Sequence, residues 1–303
     1  MKQVKNAARL RALGLSAAAL LLGGCQMSVL DPQGAVGVQE KQLILTATWL
    51  MLIVVVPVIV LCLWFAWRYR ASNEKATYTP NWSYSHRIEA VVWGIPLAII
   101  LVLGTITWHT THTLDPYRPL DSSVKPLEVD VVALDWKWLF IYPEQHVAAV
   151  NEIALPTDRP VHFNITSDSV MNVFFIPQLG TQVYAMAGMQ TQVSLIANAP
   201  GVYDGLSANF SGEGFADMRF VARATSQKDF DAWVARALDS AGKLDAATYR
   251  ELARPSEKAP VRYFSTVEPA LYATVLDKYM DKTTALGAAG KFCLPKVVAK
   301  AAE

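Results

Sequence analysis

Residues Leu43 to Trp67 run for 25 positions without a charged side chain. About 20 such residues cross the hydrocarbon core of a bilayer, and a lone segment survives there only as a helix that satisfies its own backbone. Trp49, Trp64 and Trp67 lie toward the ends of the run, where interfacial aromatics sit. A second apolar run, Ala90 to Trp108, follows Glu89. Together they predict transmembrane helices over residues 43–67 and 88–112. Pro57 and Pro96 fall inside them, where neighbouring helices can satisfy the freed carbonyls. The whole chain is 52% hydrophobic with mean hydropathy +0.23, too apolar for an ordinary soluble protein and too polar for a polytopic one. A membrane hairpin plus a soluble domain with its own core is expected.

Charge placement orients the hairpin. Arg68, Arg70, Lys75 and Arg87 crowd the loop at 68–87, which predicts a cytoplasmic loop. The segment 25–42 and everything beyond His109 then face the periplasm. Residues 1–24 read as an export signal, with Lys2, Lys5, Arg9 and Arg11 ahead of the apolar stretch Ala12 to Leu22. Its end, Leu22-Gly23-Gly24-Cys25, follows the bacterial lipoprotein pattern, so Cys25 is expected to carry acyl chains into the outer leaflet. An ordinary signal with a chance cysteine is the other reading. Cys25, Cys62 and Cys293 offer no CxxC spacing and no disulfide framework, which excludes a metal centre built on paired cysteines. Net charge +1 leaves no nucleic-acid footprint.

Beyond Asp115-Pro116-Tyr117-Arg118-Pro119 the periodicity changes to two. Leu127 to Leu134, Val161 to Thr166, Met189 to Ile196 and Ala216 to Ala222 alternate, with Pro156, Pro177, Gly180, Pro200 and Gly201 between them. Short strands spaced this way predict an all-β domain, a β-sandwich or a Greek-key barrel. Helical periodicity returns after Arg223. Ser226 and Asp229 form a capping-box start, and Phe230, Trp233, Val234, Ala237 and Leu238 make one apolar face. Pro269 is expected to open another helix, and an Ala- and Lys-rich tail ends the chain.

Between two predicted strands lies Ser207 to Met218, SANFSGEGFADM. Its length, its glycines and its closing methionine are those of a copper-binding loop. Three further stretches accompany it: Asp135-Trp136-Lys137-Trp138 with Phe140 and Tyr142, the strand Ser169 to Pro177, and Gly180 to Thr191. With the two spans, these segments resemble subunit II of the haem–copper oxidases over nearly the whole chain. The fold implied is a two-helix transmembrane hairpin, a cupredoxin-like Greek-key sandwich over 113–224, a helical aromatic-rich region over 225–285 and a flexible tail over 286–303.

In copper-carrying members two thiolates, two imidazoles, a methionine and a backbone carbonyl hold a copper pair. The matching positions here are Ser207 and Ser211 for the thiolates, Asn172 and Phe215 for the imidazoles, Asn209 for the carbonyl donor and Met218. A protonated hydroxyl is a poor donor, phenylalanine donates nothing, and one thioether cannot hold two copper ions. The departure itself resembles subunit II of the cytochrome bo-type ubiquinol oxidases. That resemblance implies a complex that oxidises ubiquinol, reduces oxygen to water and pumps protons. Haems and copper are expected in subunit I and no cofactor in this chain. The implied partners are subunits I, III and IV, membrane lipid, and ubiquinol by way of subunit I, with no cytochrome c.

Glu89 has two readings. From the residues alone it is an interfacial carboxylate beside His86 and Arg87, helped by a helix N-terminus. The resemblance implies instead a place at the mouth of a proton channel in subunit I. His109 and His112 are expected to be interfacial, Met171, Met186, Met189 and Met218 to fill the core, and Trp136 and Trp138 to pack on a partner. The alternatives are an aa-type menaquinol oxidase subunit II, a membrane-anchored periplasmic binding module, and a true cytochrome c oxidase subunit.

Overall fold

A computed structural model describes residues 27–77 and 79–280. Cys25 and the tail at 286–303 lie outside the described residues. Two long helices come first, α1 (Ala35–Arg68) and α2 (His86–Thr113). Both are long and apolar enough to cross a membrane, and the rest of the described chain buries neither apolar stretch. α1 spans about 51 Å at 1.5 Å per residue, well beyond the hydrocarbon core of about 30 Å. It starts at Ala35, within the stretch 25–42, so the second half of that stretch is helical.

The start of α1 is built into the soluble domain. Gln33 N donates to Gln178 O (2.7 Å), Gly37 N to Leu179 O (3.0 Å) and Asn198 N to Gln33 O (2.8 Å). Gly34 lies so close that a Cβ there would sit 2.6 Å from both Ile196 O and Leu179 O. Only a residue without a side chain allows that approach.

The domain is a β-sandwich. One sheet contains β1 (Leu127–Leu134), β2 (Lys137–Tyr142), β3 (Val147–Val150), β5 (Val161–Ser167), β8 (Thr191–Leu195) and β12 (Arg262–Phe264), in the order β12-β3-β2-β1-β5-β8. The other contains β4 (Glu152–Pro156), β6 (Asn172–Phe175), β7 (Val183–Ala185), β9 (Gly201–Ser207) and β10 (Arg219–Thr225), in the order β4-β10-β9-β6-β7. β1 runs parallel to β5 and β10 parallel to β4, while the other pairs in the two sheets are antiparallel. Trp138, Phe140, Phe163, Phe174 and Phe220 fill the space between them, with Phe174 stacked on Phe220 at 5.3 Å.

β1 matches its predicted limits, but two strands start later than the alternation suggested. β8 begins at Thr191 rather than Met189, and β10 at Arg219 rather than Ala216. Glu213–Asp217 coil into a 3₁₀ turn, led by Gly212 at φ 114°, and so cannot join the ladder.

The C-terminal region seals the inner core with its first helix, whose Phe230, Trp233 and Ala237 join the residues between the sheets, and covers the outer face of the first sheet with the rest. It comprises α3 (Gln227–Leu238), α4 (Ala246–Leu252) and α5 (Leu271–Asp277), plus a short ladder of β11 (Lys243–Leu244) and β13 (Thr266–Val267). Leu244, Tyr249, Leu252, Phe264, Leu271 and Val275 pack onto Val132, Leu134, Leu139 and Ile141. Strands β1 to β3 are therefore covered on both faces. Half of the capping box forms: Asp229 N donates to Ser226 Oγ, while Asp229 Oδ2 accepts from the Ser226 hydroxyl rather than from its backbone N–H. Pro269 does not open α5. Ala270 turns left-handed (φ 62°) and the helix begins at Leu271. Glu152 pins the region down, accepting from Arg223 Nε (2.8 Å), Trp233 Nε1 (3.0 Å) and the Tyr263 hydroxyl.

Candidate functional site

The fold brings all six copper-ligand positions to one end of the sandwich. β6 starts at Asn172, β9 ends at Ser207, and the loop closes on Met218 just before β10. Most of the side-chain polar atoms there have a protein partner. Ser207 Oγ donates to Asn172 Oδ1 (3.1 Å) and accepts from Val173 N (3.4 Å). Asn172 Nδ2 donates to Val170 O (3.1 Å). Asn209 Nδ2 donates to Met171 O (3.0 Å), while its backbone carbonyl takes a long bond from Ser207 Oγ (3.4 Å). Ser211 Oγ points to Met218 Sδ at 3.9 Å, and Phe215 meets Phe210 edge-on at 5.6 Å.

These donors do not fit a copper pair. Two hydroxyls, an amide, one thioether and a phenyl ring hold no thiolate to bridge two ions. Ser207 Oγ and Asn172 Oδ1 are spent on each other, and Asn172, Ser207 and Met218 are buried. Among the described residues no cluster of His, Cys, Asp and Glu could replace them.

What holds the loop is Trp136. Its indole Nε1 donates to Ser211 O at 3.0 Å, across 75 residues of sequence. A Cβ on Gly214 would lie 2.5 Å from the same ring. Trp136 itself is left-handed, at φ 62°. Trp138 is fully buried in the core, which corrects the expectation that it packs on a partner. The expectation for the methionines holds at Met218 and in part at Met186, which is half-buried. Met171 and Met189 are exposed, because they sit in the loops flanking β6 and β8 rather than on an inward face.

Two buried ionic groups close to the site carry no signal in the sequence. The Asp168 carboxylate accepts from Tyr249 Oη and Lys278 Nζ, each at 2.7 Å, and Asp168 O accepts from Tyr279 Oη. The loop leading to Asn172 is thereby tied to α4 and to the end of α5. Lys137 is 2% exposed and donates Nζ to Asp135 O and Arg254 O. Burial pushes its ammonium below the usual lysine range, against the pull of Asp135.

Glu89 belongs to none of this. It sits exposed in the first turn of α2, its N–H donating to Ser85 O. About 36 Å of helix separates it from Thr113. His112 is likewise spent within its helix, on Trp108 O at 2.7 Å.

The chain resembles known proteins over most of its length. Residues 121–225 match the family model described as cytochrome C oxidase subunit II, periplasmic domain, and residues 239–283 match the COX aromatic rich motif. The cytochrome bo(3) ubiquinol oxidase subunit 2 of Pseudomonas aeruginosa is 61% identical over 273 residues, 90% of this chain and 82% of that one. The ubiquinol oxidase subunit 2 of Acetobacter aceti is 55% identical, covering 92% of this chain and 93% of its own. Among solved structures, the periplasmic domain of cytochrome oxidase subunit II from Bradyrhizobium japonicum superposes with a TM-score of 0.36 at 20% identity, over 38% of this chain and 96% of that domain.

Proposed function

Since the chain belongs to the subunit II family of the cytochrome bo-type ubiquinol oxidases, we propose that it is the metal-free subunit II of a proton-pumping complex that oxidises ubiquinol and reduces oxygen to water. The loop's own hydrogen bonds carry this reading. Ser207 with Asn172 and Ser211 with Met218 spend the groups that a copper relay would need. Electrons then reach the haems of subunit I from a quinol inside the membrane, and no cytochrome c need dock. This chain contributes assembly, a periplasmic cap on subunit I, and Glu89 at the point of proton uptake. In this reading α1 and α2 cross the inner membrane, 68–87 is cytoplasmic, the sandwich is periplasmic and Cys25 carries the lipid anchor.

The donor test is direct. The purified complex should consume oxygen with ubiquinol and not with reduced cytochrome c; turnover with cytochrome c at a comparable rate would refute the assignment. Glu89→Gln should slow turnover with assembly intact. Normal oxidase rates and proton pumping in that variant would remove Glu89 from the proton path.

A further inference from the structure

An open cleft of about 510 Å³ lies between the outer ends of the two membrane helices and the sandwich. Gln39 of α1, Leu114 at the end of α2 and Ile196 after β8 form part of its wall. The clamp around Gly34 fixes the distance between helix and sandwich, so the opening is built into the junction. The chain leaving α2 closes another side with Asp115, Arg118 and Asp121. Where helices leave the hydrocarbon is the depth of phospholipid head groups.

The cleft holds both signs of charge. Arg118 and Asp121 approach only to 3.9 Å, with side chains 51% and 97% exposed. Such a pair contributes little by itself and leaves its groups open to a ligand. We propose that this cleft binds one membrane phospholipid bearing a phosphoethanolamine head. The phosphate meets the Arg118 guanidinium, the primary ammonium donates to Asp115 and Asp121, and the glycerol and first methylenes lie along Leu114 and Ile196. A choline head has no N–H to give those carboxylates. A glycerol head brings its negative phosphate to two carboxylates and one arginine. The inference rests on the topology proposed above, with the sandwich outside the membrane.

Native mass spectrometry of the complete oxidase, delipidated and then titrated with phosphatidylethanolamine, phosphatidylcholine or phosphatidylglycerol, tests it. The wild type should retain phosphatidylethanolamine about tenfold more tightly than the other two, as expected for charge-assisted contacts. The Arg118→Gln, Asp115→Asn double variant should lose that preference with oxygen consumption unchanged. Equal retention of the three lipids, or undiminished preference in the variant, would overturn the proposal. Water-soluble glycerophosphoethanolamine should not replace the lipid; equal binding would overturn the assignment to a membrane component. Protease added to the outside of spheroplasts should cut the sandwich; protection there would overturn the topology and not the lipid preference itself.

Discussion

Trp136 holds a left-handed backbone conformation that aromatic residues seldom adopt. It is kept there because one side chain does two jobs: its N–H bonds Ser211 O and its ring packs under Gly214. Trp136→Phe keeps most of the ring and loses the bond, so thermal denaturation should show a loss of about 1 kcal/mol. Gly214→Ala drives a methyl into the indole and should cost about 1–3 kcal/mol. Glu152 gives a pH prediction. Burial alone raises its pKa, but the Tyr263, Arg223 and Trp233 bonds outweigh burial and hold it below the ordinary 4.5. The stability it contributes is fully present above that value and is lost as pH falls through the lowered one. Glu152→Gln should therefore show a shallower loss of stability below pH 4.5 than the wild type. An unchanged acid limb would show that the carboxylate's bonds add nothing. The missing copper donors are legible in the sequence because donor chemistry resides in residue identity. The partners of Trp136, Glu152 and Asp168 lie far along the chain, and no local pattern announces them.

Among elements, the C-terminal region shows where sequence periodicity stops being informative. The apolar face and capping box of α3 can be read directly, since an amphipathic helix on a surface repeats with its own period. The strands beneath the rest of the region are harder. All six residues of β2 are buried, because the sandwich interior takes one face and the C-terminal cover takes the other. Such strands lose the alternation that marks a half-buried strand. The cover hangs on few polar bonds, and Asp168 is the one that reaches the loop before Asn172. Asp168→Ala leaves the Tyr249 hydroxyl and the Lys278 ammonium without their acceptor, a loss of about 2–4 kcal/mol. Hydrogen exchange should rise across α4 and α5 and stay low in the strands of the sandwich core. Uniform protection in that variant would contradict the anchoring role.

At the scale of the whole molecule, the junction of α1 with the sandwich sets how the soluble domain stands on its hairpin. The spans were plain in the sequence, but the clamp was not. Gly34 and Gly37 look like flexible spacers until their contacts with Leu179 are seen. Gly34→Ala should lower the thermal stability of the assembled subunit by about 1–3 kcal/mol, since the added carbon meets backbone oxygens that cannot move aside. A sandwich end that satisfies its own oxygens and sulfur has no need of a metal, and a quinol-fed complex has no need of a copper relay at its surface. Electron paramagnetic resonance of the purified complex, with metal analysis of this subunit after separation, measures this most directly. A metal-free sandwich end should give no mixed-valence copper pair and no stoichiometric copper with this chain; a mixed-valence signal accompanied by two copper ions retained on it would refute the metal-free assignment.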